Sequence, residues 1–409
     1  MKLLKIRVEG LPLIDSGTEI DFLTESPVRG DEQHELIHLF KNFYLNRTLT
    51  FTGLNAAGKT QILNVISFVM NLVQAKPINN MSGLKILYKS TNILNLGIEE
   101  NTKFTVYFYS GYKESPTINK LETTISRKKD NSDDQYKYFI TAEKLFIKNI
   151  KNIRSKKDLY NFDTDKIKNI EVKNRDSDDY LALSNDVSLM NVFFNLKKYK
   201  KLFFKDMIGF TDINVLSDFG DVPIELIKFL DPSIEFLKLK FSPNEEKEKF
   251  SISLKFKYDD RIITLDTPTD LNSVLSSGTI KGLGLFMTAI TTLQQGGVLI
   301  VDELENHFNR EIALTLIHLF TDRKINTEDA ILIFTTHYSE LLDTLDRNDS
   351  VYIVTKKKKI ILEKLSNQLK RNDIRKSDQF IKGILKHTAP KYVDQINLKR
   401  YIKSSQKSK

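Results

Sequence analysis

The chain has 409 residues, enough for one large composite domain or two smaller ones, and its 40% hydrophobic and 28% charged residues are the balance of a globular protein. It has no cysteine, which excludes disulfides, thiolate metal sites and cysteine nucleophiles, and 62 Lys and Arg against 53 Asp and Glu leave a formal net charge of +9. No apolar run approaches the ~20 residues of a membrane span, and charges interrupt Met1–Glu9 too often for a signal peptide, so a cytoplasmic location without a membrane partner is expected.

In chain order, Leu4, Ile6 and Val8 alternate as one face of a half-buried strand over 3–8. Residues 11–47 are mixed. Leu49-Thr50-Phe51-Thr52 reads as a short buried strand ending at Gly53, and 60–73 is apolar almost all round, as in a buried helix. The runs 103–111, 119–127 and 136–148 alternate and are split by polar turns such as Lys129-Asp130-Asn131-Ser132, the pattern of an antiparallel meander. Residues 150–180 are charged and poor in large apolar side chains, which marks them as a linker or flexible insertion. Helical spacing returns over about 183–231, and strand-like runs follow at 234–241, 250–257 and 261–265. The pattern then repeats: a strand at 298–301, a helix at 309–321, and strands at 331–334 and 351–354. Alternating strands and helices imply a largely parallel sheet with helices on its faces.

Gly53-Leu54-Asn55-Ala56-Ala57-Gly58-Lys59-Thr60 fits the phosphate-binding pattern G-x-x-x-x-G-K-[ST] in full, between an expected strand and an expected helix. Small residues let backbone N–H groups wrap phosphates at the positive end of a helix. Lys59 then reaches the β- and γ-phosphates and the Thr60 hydroxyl ligates Mg²⁺. The strand Val298–Val301 ends in Asp302 and Glu303, and parallel strands meet their ligands at such ends. Asp302 is placed to hold the metal's hydration shell. Glu303, one residue farther, is placed to polarise an attacking water. Leu275-Ser276-Ser277-Gly278-Thr279 precedes the helix-like stretch Leu283 to Leu293, and Thr335-Thr336-His337 closes the next strand. Of the other histidines, His34, His38, His307, His318 and His387 are read as structural.

The order of these parts resembles the ABC/SMC/RecF/OLD branch of P-loop ATPases. That resemblance spans residues 49–340. Ser276-Ser277-Gly278 is similar to the ABC signature motif, with Ser277 and Thr279 in place of the usual Gly and Gln or Glu. In that family the motif grips the γ-phosphate bound to the other subunit, which implies a homodimer. His337 resembles the family's switch histidine, a γ-phosphate contact. Asp302-Glu303-Leu304-Glu305-Asn306, Phe334–His337 followed by Leu341-Leu342, Ala142–Leu145 and Thr388–Tyr392 resemble stand-alone ATPases of bacterial phage-defence and abortive-infection systems, the AbiL/RloA kind. These are typically encoded beside a nuclease or toxin partner. Asn309 stands where many members carry a histidine.

The resemblance implies an α/β protein with an ABC-type P-loop NTPase core, a mainly parallel sheet, an antiparallel β-meander lobe and a mainly helical insertion. The expected division is a composite ATPase domain from 1–149 and 233–365, an insertion at 150–232, and a basic C-terminal segment at 366–409. The expected activity is ATP hydrolysis with Mg²⁺, gating or scaffolding an effector. Two alternatives stand beside it: a RecF-like repair ATPase that binds DNA directly, and a scaffold that holds ATP with negligible turnover. The basic clusters Lys197–Lys201, Lys356–Lys359 and Lys399–Lys409 leave both a nucleic-acid contact and a solvated face open.

Overall fold

The computed structural model describes every residue except 26, 29, 31–32, 34–35, 82–100, 112–115, 130–135, 181, 198–201, 210–221, 245–246, 307–308, 383–384, 386–391 and 408–409. The turn at 130–132, His34, His307, His387, the lysines at 198, 200 and 201, and the stretch 388–391 lie outside the described residues.

In chain order the strands are Lys2–Glu9 (β1), Thr18–Asp21 (β2), Leu36–Phe40 (β3), Phe43–Asn46 (β4), Thr48–Thr52 (β5), Asn101–Ser110 (β6), Thr117–Lys129 (β7), Tyr136–Asn149 (β8), Ile170–Asn174 (β9), Phe204–Met207 (β10), Ile234–Asn244 (β11), Lys247–Phe256 (β12), Ile263–Leu265 (β13), Val298–Val301 (β14), Ile331–Thr336 (β15), Val351–Lys356 (β16) and Ile360–Lys364 (β17). The helices that bear on the site are Lys59–Val73 (α1), Lys156–Tyr160 (α2), Met190–Lys197 (α3), Ile224–Leu230 (α4), Ser277–Gln295 (α5) and Arg310–Thr321 (α6).

Strands that are apolar on both faces belong in a sheet covered on both sides. β14 and β15 are buried throughout and lie inside a sheet of order β10-β14-β15-β5-β16-β17. All neighbours in it run parallel except the final β16–β17 hairpin. The two-residue period divides the side chains between two apolar clusters. Val298, Ile300, Ile331 and Ile333 pack with α1 and the antiparallel lobe. Leu299, Val301, Leu332 and Phe334 pack with α5 and α6. The second six-stranded sheet, order β2-β1-β6-β7-β8-β9, is antiparallel and includes the expected meander. β11, β12 and β13 form a separate antiparallel sheet that packs with the second cluster. The α/β class with a mainly parallel core and an antiparallel lobe is therefore the observed one.

The linker expected at 150–180 is instead packed against the meander. Leu159 and Phe162 are buried there. The Lys148 ammonium donates to the carbonyl oxygens of Asp158, Leu159 and Asn161 at 2.6, 3.2 and 2.7 Å, and burial lowers its pKa to about 8. Glu143 in β8 accepts from the Thr123 and Ser188 hydroxyls at 2.8 Å each and from the Leu189 N–H at 2.7 Å. Arg175 lies 3.5 Å from the same carboxylate, and burial raises the carboxyl's pKa. Satisfied charges of β8, Lys148 and Glu143, anchor the segment beside its few buried apolar residues, and composition shows neither partner.

The stretch 150–232, expected to be mainly helical, carries the short helices α2, α3 and α4 among its described residues. It also supplies β9 to the edge of the antiparallel sheet and β10 to the edge of the core sheet. The helical period hides β10 because Lys205 and Asp206 are exposed, and an edge strand tolerates such charges. The Ser67 hydroxyl of α1 donates to Asp206, and the amide of Gln74, which caps that helix, donates to the Leu202 carbonyl oxygen; both tie this stretch to the helix after the glycine-rich loop. The C-terminal helix Tyr392–Lys407 leaves Leu398, Tyr401 and Ile402 exposed beside Lys399 and Arg400.

Candidate active site

β5 delivers the chain to Gly53, and α1 receives it at Lys59. Both glycines of the loop are obligatory on geometric grounds. Gly53 has φ +151°, and an added Cβ would stand 2.3 Å from the Val354 carbonyl oxygen. Gly58 has φ +100°, and its Cβ would meet the Ile360 side chain at 2.3 Å. Between them Asn55 and Ala56 are exposed, Ala57 is buried, and Ala56 takes a left-handed φ of 60°. The Lys59 ammonium folds back along the loop and donates to the carbonyl oxygens of Gly53 and Leu54 at 3.1 and 3.2 Å. Burial lowers its pKa, opposed by Glu303, Asp302 and Glu305.

The acidic loop after β14 lies against the end of β15. The Thr60 hydroxyl donates to Asp302 Oδ2 at 2.7 Å. The Thr335 hydroxyl donates to Asp302 Oδ1 at 2.6 Å and accepts the Glu303 N–H at 2.6 Å. Glu303 itself has φ 49°, a left-handed backbone that non-glycine residues seldom adopt outside functional turns. Its Oε2 accepts from the Asn306 amide at 3.2 Å, and its Oε1 lies 3.6 Å from His337 Nε2. His337 Nδ1 is 3.4 Å from the Lys59 ammonium. A lysine ammonium can only donate, so Nδ1 is the acceptor and, in the neutral ring, the proton sits on Nε2, facing Glu303. The His337 N–H donates to Glu305 Oε1 at 2.5 Å.

These groups open into a cavity of about 570 Å³, lined by Asn55, Ala56, Gly58, Lys59, Thr60, Glu303 and His337 and closed by Leu13, Gln61, Lys356 and Ile360. Its size suits a small-molecule ligand, for which sites of about 300–1,000 Å³ are usual. Its lining combines the cations Lys59 and Lys356 and the Glu303 carboxylate with the aliphatic Leu13 and Ile360. The last two are brought together by the Ile360 N–H donating to the Leu13 carbonyl oxygen at 2.7 Å. The Thr60 hydroxyl and Asp302 carboxylate are hard oxygen donors, a set that suits Mg²⁺ completed by phosphate oxygens and water.

Of the residues singled out in the sequence, Gly53 to Thr60, Asp302, Glu303 and His337 come together. Ser276, Ser277 and Gly278 do not line the cavity. They begin α5, where the Ser276 hydroxyl accepts the Thr279 N–H at 3.0 Å, and both serines are exposed. Asn309 caps α6, its side chain accepting the Ile312 N–H at 3.0 Å. Sequence reasoning named Thr335, Glu305 and Lys356 only within motifs or a basic cluster and gave them no role in the site, and it passed over Leu13 and Ile360. A polar side chain in the apolar run Ile331–Phe334-Thr335 is a visible signal for the first. Leu13 and Ile360 carry none, because their pairing spans almost the whole chain.

Among the described residues no helix is long and apolar enough to cross a membrane. No curated protein matches the sequence. Among similar solved structures is an SmcHead bound to the C-winged helix domain of ScpA, at 11% identity and a TM-score of 0.42, covering 90% of this chain and 100% of that one. Residues 49–343 match the family described as "AAA domain, putative AbiEii toxin, Type IV TA system". That match takes in the glycine-rich loop, the signature-like segment, the acidic loop and His337, and by it the chain belongs to this family of AAA-domain P-loop ATPases.

Proposed function

We propose that the chain binds ATP with Mg²⁺ in this cavity, hydrolyses it, and as an ATP-dependent homodimer gates a nuclease or toxin effector of a bacterial anti-phage defence system. The observation that carries the reading is the convergence of Lys59, Thr60, Glu303 and His337 in one cavity, with Asp302 hydrogen-bonded to Thr60. Bound Mg²⁺ would draw charge from the β- and γ-phosphate oxygens. The backbone N–H groups of Gly53 to Lys59 wrap the phosphates, and the Lys59 ammonium leaves its two carbonyl partners to meet them. Glu303 Oε1 takes a proton from the attacking water, and His337 Nε2–H donates to the γ-phosphate.

The dimer rests on Ser276, Ser277 and Gly278. They are donors at the start of a 19-residue helix and stand outside their own chain's cavity. A two-fold related subunit brings such a segment onto the open side of the γ-phosphate. The test is ATP turnover by the purified chain, with Lys59→Ala as control. Turnover in the parent and none in the variant is expected, and equal turnover in both sinks the reading. Since the family's description names a toxin, the chain is also expressed alone. Toxicity without a partner contradicts the gating role. A direct nucleic-acid contact is the second reading, favoured by the exposed Lys356, Lys357 and Lys358 at the β16–β17 turn. Salt-sensitive DNA affinity of the chain alone would support it.

A further inference from the structure

Thr335 is completely buried near the end of β15, yet it makes three hydrogen bonds to the acidic loop. Its hydroxyl donates to Asp302 Oδ1 at 2.6 Å and accepts the Glu303 N–H at 2.6 Å. Its carbonyl oxygen accepts the Leu304 N–H at 3.0 Å. One residue thus engages three consecutive residues of the loop. Asp302 is consequently held at both oxygens, since Oδ2 already takes the Thr60 hydroxyl. The Glu303 N–H is turned inward by its left-handed φ of 49°, and the Thr335 hydroxyl is the acceptor it meets there. A hydroxyl can donate and accept at once. Valine, the closest shape, can do neither. The next residue, Thr336, is equally buried, but its hydroxyl accepts the Tyr338 N–H at 3.0 Å and makes no bond to Asp302 or Glu303.

We propose that Thr335 is a positioning residue for the nucleotide chemistry. Its hydroxyl aims the Asp302 carboxylate at the metal and sets the Glu303 backbone so that the carboxylate faces the cavity. The proposal deepens the ATPase reading and rests on it. It acts through Asp302 and Glu303 and predicts no contact of its own with substrate.

The experiment compares the full chain with Thr335→Val, which removes the hydroxyl at constant shape, and Thr335→Ser, which retains it. Thermal unfolding, kcat and KM for ATP, and ATP affinity with and without Mg²⁺ are measured on each. In Thr335→Val, kcat is expected to fall about tenfold or more, because a buried pair of hydrogen bonds is lost, while Mg²⁺-free affinity stays within about twofold. The gain in ATP affinity on adding Mg²⁺ should shrink in parallel. Thr335→Ser should recover kcat to within about threefold of the parent. Parent-like turnover and a full Mg²⁺ gain in Thr335→Val overturn the proposal. So does equal impairment of Thr335→Val and Thr335→Ser, which would mark a packing role. If the parent itself does not hydrolyse ATP, the ATPase reading fails. Thr335 is then judged on the Mg²⁺ gain, and an undiminished gain in Thr335→Val refutes its role.

Discussion

Glu303→Gln separates nucleotide binding from hydrolysis more cleanly than any other change at the site. Glutamine has the size of glutamate, takes the same backbone conformation at φ 49°, and can still accept from the Asn306 amide. The glutamate side chain is 45% exposed and 3.6 Å from His337 Nε2, so little fold stability depends on its charge. A change of at most about 1 kcal/mol in stability is expected. Hydrolysis is different, because the amide cannot take a proton from water at any useful pH. Loss of a general base slows turnover by about a hundred- to ten-thousandfold, or about 3–5 kcal/mol of barrier. Lys59, Thr60 and Asp302 are untouched, so ATP should still bind and should accumulate with the protein in the paired state. The assay is phosphate release beside size-exclusion chromatography with ATP and Mg²⁺. Slow release together with an earlier-eluting species is expected. Release at the parent rate would mean that another group activates the water.

Two further experiments probe the dimer and the lobe. Lys59→Ala and Ser276→Arg, each inactive alone, place both lesions in one site of a mixed dimer. Mixing should therefore restore up to about half of the parent turnover per mixed dimer if the sites act independently. Mixed dimers that form and stay inactive contradict independent shared sites. Glu143→Ala removes the acceptor of two hydroxyls and the Leu189 N–H and leaves the buried Arg175, still bonded to the Val187 and Ser184 carbonyl oxygens, without its counter-charge. It should lower unfolding free energy in urea by about 3 kcal/mol or more, and a loss under about 1 kcal/mol would show that the node is dispensable.

The sequence by itself determined the chemistry that depends on neighbours along the chain. A glycine-rich loop must sit between strand and helix, so Gly53 to Thr60 announced both the site and its flanking β5 and α1. The uninterrupted apolar runs 298–301 and 331–334 announced a sheet buried on both faces, and the acids after one and the histidine after the other marked its ligand edge. Tertiary structure alone decided what depends on distant partners. Residues 150–180 looked like a linker because their composition hides the partners they find on β8, where Lys148 takes the Asn161 carbonyl oxygen and Glu143 faces Arg175. β10 looked helical because its exposed Lys205 and Asp206, tolerated at a sheet edge, break the alternation of a strand. Leu13 meets Ile360 through a backbone pairing that no local periodicity records. The same holds for Thr335. Its hydroxyl is one of two in a short buried stretch, and what distinguishes it from Thr336 is the direction it takes from the pleat, toward Asp302 and Glu303 on the neighbouring strand's end.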